Sequence, residues 1–277
     1  MQRFSFAGCS IVMEQALYIT RLNQLEYVRE GFARIYFGAE FCERLIPSRE
    51  DVSHIAAFVQ RRALGLTLMT PYVTDAGLER LVSLLDAVRA MGMQVEVVFN
   101  DWGVLDLLRQ EYPEFVPVMG RLLNKTKRGP RIMNIIDKLP GACRNYFESC
   151  VLSADAACSF LKKRSVYRVE CDNQLQGIRL EDTDPAIMKS LYIPYVFVST
   201  TRFCLAADCD NPERMDFVGV QACARQCREY IFQLDNPVMR VPLLRKGNAM
   251  FYVNDNVPDN LADGQFDRIV VQPEIPA

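Results

Sequence analysis

Cysteine is the residue type in this sequence with the clearest potential for chemistry. The chain has ten cysteines: Cys42 stands alone early, and a late group contains Cys204, Cys209, Cys223 and Cys227. Thiolates from such distant points can together hold one soft metal centre, either an iron–sulfur cluster or a structural zinc ion. Three residues separate Cys223 from Cys227, a spacing that would place both sulfurs on one face of a helical turn. The sequence therefore predicts a thiolate-bound centre that joins the early and late parts of the fold.

The spacing of these cysteines favours a cluster with dispersed ligands over zinc. Zinc fingers and ribbons usually carry two Cys-x-x-Cys pairs, and this sequence has none. The compact Cys-x-x-x-Cys-x-x-Cys run of radical-type proteins is also missing. Either Cys204 or Cys209 could be the second ligand. The other five cysteines have no paired spacing, and we expect them to be small buried side chains: Cys9, Cys143, Cys150, Cys158 and Cys171.

Histidine occurs only once, as His54. It falls in a predicted amphipathic helix that follows Pro47, where we expect it on the surface. A single histidine argues against a histidine-rich metal site. It also argues against a hydrolase built on a Ser-His or Cys-His pair.

Composition indicates one ordinary globular domain spanning residues 1–277. Half of the 277 residues are hydrophobic and the net charge is −2, so the chain can bury a core and has no overall attraction to nucleic acid or anionic membranes. No apolar run approaches the roughly 18 residues that a membrane span needs, and the start lacks a signal-type core. We therefore expect a cytoplasmic protein with reduced cysteines.

Short β-rich runs alternate with helical runs over the first two-thirds of the chain, as βα units of an α/β fold with a parallel sheet do. The predicted strands are 4–7, 34–40, 64–70, 94–99, 116–120, 166–170, 176–180 and 193–199, and the predicted helices are 14–30, 49–62, 76–91 and 104–110. Further strands at 230–234, 238–244 and 249–253 predict an antiparallel β-rich tail over residues 230–277. A hairpin turn is expected at Lys246-Gly247-Asn248.

Polar side chains follow the ends of several predicted strands. They are Glu40, Asn100, Asp101, Arg121 and Asn124. In α/β barrels functional groups lie where strands end and βα loops begin, so these five are candidate substrate contacts on the same rim as Cys42.

Structural alternatives exist for the same residues. Asn100 and Asp101 could form a turn and a helix N-cap. The basic stretch 121–131 could be a solvated loop, or it could bind an anionic ligand or an RNA backbone. Trp102, the only tryptophan, is expected to serve in packing.

Three stretches together resemble the peptidase U32 family, in particular its short members that act in oxygen-independent ubiquinone biosynthesis. They are Tyr36-Phe37-Gly38-Ala39-Glu40-Phe41-Cys42, Arg202-Phe203-Cys204-Leu205-Ala206-Ala207, and the closing pair Cys223 and Cys227. With the βα order from Phe4 to Arg121, the resemblance spans most of the chain. It implies a TIM-like (β/α) barrel, whether complete, incomplete or distorted.

The resemblance also implies a cofactor and a reaction. Cys42, Cys204, Cys223 and Cys227 would ligate a [4Fe–4S] cluster, with Cys209 as a spare or as the alternative to Cys204. The protein would take part in hydroxylation without molecular oxygen, of a quinone precursor or of RNA, in a heterodimer with a paralogous U32-family protein. The family's longer Gly-Ser-x-Cys run is missing, so the implied fold and cluster are better supported than the substrate.

Three functional hypotheses follow. The first is a [4Fe–4S] protein that participates in oxygen-independent hydroxylation of a small molecule. The second is a scaffold, stapled by a cluster or by zinc, that binds a protein or binds RNA through residues 121–131. The third, a peptidase, is disfavoured because His54 is a poor lone base and four thiolates leave a metal no open position.

Overall fold

The computed structural model describes residues 13–181, 183–213, 223–258 and 266–276. Within these ranges the chain forms a closed barrel of eight strands and a separate sheet of four strands. The predicted α/β, TIM-like barrel is confirmed, and it is complete. The predicted strand at 4–7 and the predicted burial of Cys9 lie outside the described residues.

The strands pair in two groups. In chain order they are β1 (Glu14–Ile19), β2 (Arg34–Gly38), β3 (Gly65–Met69), β4 (Glu96–Phe99), β5 (Val116–Met119), β6 (Arg168–Asp172), β7 (Met188–Ile193), β8 (Tyr195–Thr200), β9 (Phe232–Leu234), β10 (Leu243–Lys246), β11 (Ala249–Val253) and β12 (Arg268–Val271). The barrel order is β1-β12-β7-β6-β5-β4-β3-β2, with parallel pairing throughout. The second sheet has the order β8-β11-β10-β9 and is antiparallel.

Helices cover the outside of the barrel. The α-helices are α1 (Arg49–Arg62), α2 (Asp75–Ala90), α3 (Trp102–Glu111), α4 (Gly141–Glu148) and α5 (Asp155–Lys163). Short 3₁₀ helices occupy Leu22–Tyr27, Glu43–Leu45, Pro130–Asn134, Ile136–Lys138, Val151–Ser153 and Gln226–Arg228. None of the helices in the described ranges is long and apolar enough to cross a membrane.

Helix α1 shows how the sequence specifies these elements. Ser48 caps its start, because the Ser48 hydroxyl accepts a hydrogen bond from the Asp51 N–H and the Asp51 carboxylate accepts one from the Ser48 N–H in return. Its buried residues recur at helical spacing: Val52, Ile55, Ala56 and Val59. This stripe packs against the outer face of the barrel, as the predicted helix 49–62 requires.

The barrel strands are buried on both faces. Tyr18, Tyr36 and Tyr192 point inward, and edge-on contacts hold the Tyr192 ring 6.2 Å from Tyr18 and 6.1 Å from Tyr36. Alternate residues such as Leu17 and Ile35 point outward into the core shared with the helices. A packed interior of this kind is typical of eight-stranded α/β barrels.

Three predicted elements are wrong. Residues 14–30 form β1 and a 3₁₀ helix instead of one helix, because Ala16 to Ile19 are buried consecutively and pair with both neighbouring strands. Residues 176–180 form a loop. The segment 230–277 is not wholly antiparallel, since β12 returns to the barrel and pairs in parallel with β1 and β7.

The barrel is least regular between β5 and β6. These strands share a single residue pair, Met119 with Val169. The connection between them holds α4, α5 and three of the 3₁₀ helices instead of one crossover helix. This irregular connection begins with the basic stretch 121–131.

Candidate metal centre

The antiparallel sheet packs against the carboxyl end of the barrel. Phe41, three residues beyond β2, lies with its ring centroid 5.0 Å from that of Phe197 and 5.2 Å from that of Phe251. Leu122 and Ile275 belong to the same buried cluster. The end at which α/β barrels usually expose their active sites is therefore in contact with a second layer of structure.

An ion-pair network lies beneath this contact. The Arg121 guanidinium donates to both carboxylate oxygens of Glu40, at 2.6 and 3.1 Å, and to Asp172 at 2.8 Å. It also donates to the Tyr195 carbonyl oxygen at 3.1 Å and stacks 4.1 Å from the Tyr192 ring centroid. Burial raises the pKa of Glu40, and the charge of Arg121 offsets part of that effect.

Two of the predicted substrate contacts, Glu40 and Arg121, are thus brought together, and both side chains have no solvent exposure. Asp172 extends the network, because it also accepts from the Phe197 N–H at 2.9 Å and pairs with Arg128 at 3.2 Å. The network links barrel strands to the covering sheet. It holds the segment that leads into Cys42.

The other three predicted contacts also have structural partners. The Asn100 amide donates to the Thr70 carbonyl and accepts from the Leu122 N–H, at 3.0 and 3.1 Å. Asp101 caps α3 by accepting from the Gly103 N–H at 2.8 Å, so the cap prediction is confirmed.

Asn124 is 1% exposed and donates to the Glu170 carbonyl at 3.0 Å. Its own side-chain oxygen has no hydrogen-bond partner among the described residues. A role in orienting a substrate stays a prediction for Asn124 and for the four other rim residues.

The structure brings four of the candidate cysteines into electrostatic contact. Burial, together with the thiolate charges of Cys204, Cys42 and Cys223, raises the pKa of Cys227 to about 11. Burial also raises the pKa of Cys42, with further contributions from Cys204 and Cys223. Cys42 and Cys223, 181 positions apart in sequence, therefore lie close enough to interact electrostatically. Their joint ligation of a metal centre stays a prediction.

One amide ties together the segments that carry these cysteines. Asn248 donates to the carbonyl oxygens of Phe41 at 2.7 Å and Thr201 at 2.9 Å, and these residues lie shortly before Cys42 and Cys204. The preceding residue, Gly247, has φ +62° at the hairpin turn between β10 and β11, and an added Cβ there would lie 3.1 Å from the Cys227 Cβ. The predicted hairpin turn therefore packs directly against Cys227.

A buried cation lies near the same group. Lys246 donates to the Ile275 carbonyl oxygen at 2.9 Å, and its charge lowers the pKa of Cys227 in opposition to the three thiolates. Burial lowers the pKa of Lys246 itself. A single ammonium cannot balance four thiolates, so the full anionic set needs an additional cationic centre.

The predicted helical turn from Cys223 to Cys227 is wrong. Cys223 lies outside regular secondary structure, and the 3₁₀ helix begins only at Gln226. Arg225, between them, has the left-handed conformation with φ +66°, which interrupts a right-handed helix.

Among the described residues, no group of three or more histidine, cysteine, aspartate or glutamate side chains is arranged to hold one metal ion. Thiols from three segments are donors of the kind that a [4Fe–4S] cluster uses. The cluster therefore stays a prediction.

The remaining cysteines are mostly structural. Cys150, Cys158 and Cys171 are buried, as predicted, whereas Cys143 is exposed on α4. All described cysteines are free thiols.

The single histidine and the single tryptophan both lie on helices. His54 is exposed on α1, where the sequence places it. Trp102 packs edge-on against Phe160 at 5.5 Å, but it is 44% exposed. Its predicted packing role therefore involves one side of the ring.

The basic stretch 121–131 is partly a surface and partly core. Arg121 is fully buried, and Arg128 donates to the Arg121 and Asn124 carbonyl oxygens at 2.7 and 2.8 Å. Lys127, Arg128 and Arg131 line a cleft of about 700 Å³. None of the described residues that line this cleft is acidic. The solvated-loop interpretation holds only for the outer part of the stretch.

The amino end of the barrel holds a charged network that no sequence pattern predicts. Arg268 binds Glu96 at 2.7 and 3.0 Å and Glu14 at 2.6 Å. Burial would raise the pKa of Glu96, but the hydrogen bonds and charge of Arg268 and the charge of Arg34 lower it to about 2. Burial raises the pKa of the nearby Glu170 to about 7 despite the charges of Arg268 and Arg168.

The most informative residues that sequence reasoning missed are Asp172, Lys246 and Asn248. Asp172 ends β6, two residues beyond the predicted strand 166–170, so the strand-end criterion that selects Glu40 could have found it. The sequence assigns Lys246 and Asn248 only to a hairpin turn. Their contacts depend on the tertiary placement of β12 and β2.

Comparison with known proteins gives fold likeness only. No protein-family model matches the chain, and no curated protein matches it. Among solved structures, the U32 peptidase Mk0906 is similar with a TM-score of 0.46 and 12% identity, over 100% of this chain and 98% of that one.

A second solved structure is more distant. The multi-modular chitinase ChiW from Paenibacillus sp. str. FPU-7 is similar with a TM-score of 0.30 and 8% identity, over 93% of this chain and 40% of that one. With such values, the assignment of the barrel rests on the strand pairings given above.

Proposed function

We propose that the protein is a U32-like iron–sulfur protein in which Cys42, Cys204, Cys223 and Cys227 hold a [4Fe–4S] cluster. The observation that carries the proposal is that cysteines from remote segments, Cys42, Cys204 and Cys223, add to the effect of burial in raising the pKa of Cys227. The resemblance of the stretches around Cys42 and Cys204 to the U32 family supports it. Such a cluster, when bound, supplies one-electron transfer.

The residues around the cysteines have definable tasks in this proposal. Arg121 and Glu40 fix the end of β2, and the Phe41 ring anchors the chain directly before Cys42. Asn248 keeps the Cys42 and Cys204 segments at a constant separation. Lys246 contributes positive charge beside Cys227, which would favour the more negative state of a bound centre.

The reaction that we propose is the hydroxylation of a small molecule, such as a quinone precursor, with an oxygen donor other than molecular oxygen. The U32-like stretches around Cys42 and Cys204 support this reaction class. A paralogous U32-family protein would be the partner in a cytoplasmic heterodimer. The peptidase alternative is weaker because the only histidine, His54, is an exposed residue of α1 and is a poor lone base.

A second candidate function is a metal-stapled scaffold that binds RNA or protein. The cleft lined by Lys127, Arg128 and Arg131, without an acidic residue in its described walls, favours it. In that case the metal would maintain the fold, and its redox state would not matter. Charge reversal at Lys127 and Arg131 would abolish RNA binding and leave the metal content unchanged.

The proposal is tested by anaerobic purification of the chain, followed by a visible spectrum and assays of iron, acid-labile sulfide and zinc. We expect a brown protein with about four irons and four sulfides per chain. Cys42→Ala should lose this content, whereas Cys143→Ala, which removes an exposed thiol on α4, should retain it. One zinc per chain would refute the redox function and support the scaffold. A metal-free protein would refute both.

The reaction needs a separate assay. Extracts that contain the chain and its paralogue should hydroxylate a quinone precursor in the absence of oxygen, and extracts with the Cys42→Ala chain should not. Equal product from both extracts would exclude the cluster from the reaction.

A further inference from the structure

A cleft of about 790 Å³ lies beside the segments that carry Cys42 and Cys227. Leu45 and Ile46 form one wall shortly after Cys42, and Arg225 and Arg228 form another on either side of Cys227. The loop after β1, the start of α1 and one face of α2 complete it. Its volume lies in the range of about 300–1,000 Å³ that is typical of small-molecule sites.

Positive charge predominates in this cleft. Its walls contain five arginines from separate parts of the chain: Arg21, Arg49, Arg80, Arg225 and Arg228. The acidic residues of the walls are Asp51 and Glu79. The Asp51 carboxylate already accepts hydrogen bonds from the Ser48 N–H at 3.0 Å and its hydroxyl at 2.7 Å, which hold it against the start of α1.

Three of the arginines already have partners, and two are available. Arg21 pairs with Glu274 at 2.8 Å, Arg80 lies 3.6 Å from Glu43, and Arg49 donates to the Ser83 carbonyl oxygen at 3.1 Å. Arg225 and Arg228 are exposed, and neither has an ion-pair partner among the described residues. The available guanidinium groups therefore face the cleft from the side nearest Cys227.

The rest of the lining is partly apolar. Leu22, Leu45 and Ile46 are half-buried and expose apolar surface to the cleft, whereas Phe37 and Leu84, each 2% exposed, lie in the core beneath it. A ligand that fits both parts must combine an anionic group with an apolar body. Inorganic anions alone would leave the apolar lining in water.

We infer that this cleft binds a small organic phosphate, with its phosphate group on the arginines and its apolar body against Leu22, Leu45 and Ile46. A phosphate monoester presents three terminal oxygens, so several guanidinium groups from different directions can each bind one. A carboxylate offers only two oxygens and half the charge. The inference holds whether or not a cluster occupies the cysteines.

The test is calorimetric titration of the anaerobically purified full chain with phenyl phosphate, inorganic phosphate and benzoate at constant ionic strength. We expect phenyl phosphate to bind about tenfold more tightly than either of the others, because only it satisfies both parts of the cleft. The double variant R225Q/R228Q should weaken phenyl phosphate binding by about tenfold or more, as the loss of charge-assisted hydrogen bonds requires.

Two further variants separate binding from folding. R80Q removes a cleft arginine on α2 that already has Glu43 as a partner, so it should weaken phenyl phosphate binding less than R225Q/R228Q does, while iron content stays unchanged. R61Q, on the exposed side of α1 and outside the cleft, should bind as the parent chain does. Unchanged affinity in R225Q/R228Q, equal affinity for benzoate, or no binding of phenyl phosphate would each overturn the inference. Iron content, measured on the same samples, reports separately on the proposed cluster.

Discussion

The Asn248 side chain donates a hydrogen bond of 2.7 Å to the carbonyl oxygen of Phe41, across 207 positions of sequence. Phe41 immediately precedes Cys42, and Asn248 immediately follows the glycine that abuts Cys227. The bond therefore connects the barrel rim with the covering sheet at the point where the cysteines converge. It gives the proposed centre a rigid frame that does not depend on the metal.

Replacement of Asn248 by alanine should reduce both stability and metal content. It leaves the Phe41 and Thr201 carbonyls without a partner, which costs about 1–3 kcal/mol in the free energy of unfolding. It also releases the segments of Cys42 and Cys204 from each other. Denaturant unfolding and metal analysis would measure the two effects.

Asn254→Ala is the matched control for Asn248→Ala. Asn254 is also a buried amide of the covering-sheet region, and it donates to the Asn173 carbonyl at 2.9 Å. We expect a similar loss of stability with full metal content. If both variants retain metal equally, Asn248 does not frame the centre.

The choice between Cys204 and Cys209 can be decided by substitution. Cys204 is the thiol whose charge acts on both Cys42 and Cys227, so Cys204→Ala should lose the cluster. Cys209→Ala should keep about four irons per chain. The measurement is iron per chain after anaerobic purification. The reverse result would make Cys209 the ligand, and loss in both variants would mean that the segment 204–209 acts as one unit.

Much of the barrel can be predicted from the sequence because its local patterns are unambiguous. The sequence predicts helix 49–62 with its observed bounds, since Ser48 gives a cap and the apolar residues recur at helical spacing. Residues 14–30 resemble a helix in sequence because β1 is buried on both faces and has no alternation that marks a strand. The closing strand β12 escapes prediction for a different reason. Its pairing is with β1 and β7, which are remote in sequence.

The site is predictable by residue type more than by geometry. Ten cysteines are candidates by residue type, and their spacing leaves the choice between Cys204 and Cys209 open. The set of Cys42, Cys204, Cys223 and Cys227 is what the resemblance to the U32 family implies. The pairing of Glu40 with Arg121 cannot be read from sequence, because it depends on how β2 and β5 face each other across the barrel mouth. Strand-end position identifies where polar groups lie, but not whether they face solvent or each other.

Arg121→Met should be strongly destabilising. The substitution leaves the carboxylates of Glu40 and Asp172 buried without their main cation, and the loss of one partner of a buried ion pair typically costs about 3–5 kcal/mol. Denaturant unfolding at pH 7 would measure it. Arg89→Met, which removes an ion pair with Glu114 between side chains more than 40% exposed, should cost far less because solvent screens that pair.

A smaller loss in Arg121→Met would mean that the two carboxyls become protonated inside the protein. The triple variant Arg121→Met with Glu40→Gln and Asp172→Asn distinguishes these cases. If unpaired charge causes the destabilisation, the triple variant should recover much of the lost stability at pH 7. Equal stability of the single and triple variants would assign the loss to packing around the Arg121 side chain.

Glu170 should make the protein less stable as the pH rises. Its pKa is about 7 in the folded chain against an ordinary value of 4.5. The favourable contribution of the neutral form is complete below the unfolded-state value and is lost as the pH rises through the folded value. Glu170→Gln, which can still accept the 3.0 Å hydrogen bond from Tyr36, should therefore gain stability over the parent chain between about pH 5 and 8, by up to about 3 kcal/mol.

Glu96→Gln should behave in the opposite way. The pKa of Glu96 is lowered to about 2, so its contribution is present above the ordinary value of 4.5 and is lost as the pH falls through about 2. The variant should be less stable than the parent chain at pH 7, and the difference should shrink on acidification. Denaturant unfolding of both variants from about pH 2 to 8 makes the comparison, because the two carboxyls differ mainly in their cations. Arg268 binds both carboxylate oxygens of Glu96, whereas one oxygen of Glu170 has no hydrogen-bond partner among the described residues.

A pH-independent difference for Glu170→Gln would show that this buried carboxyl keeps the same protonation state across the range, with its charge stabilised by Arg268 and Arg168.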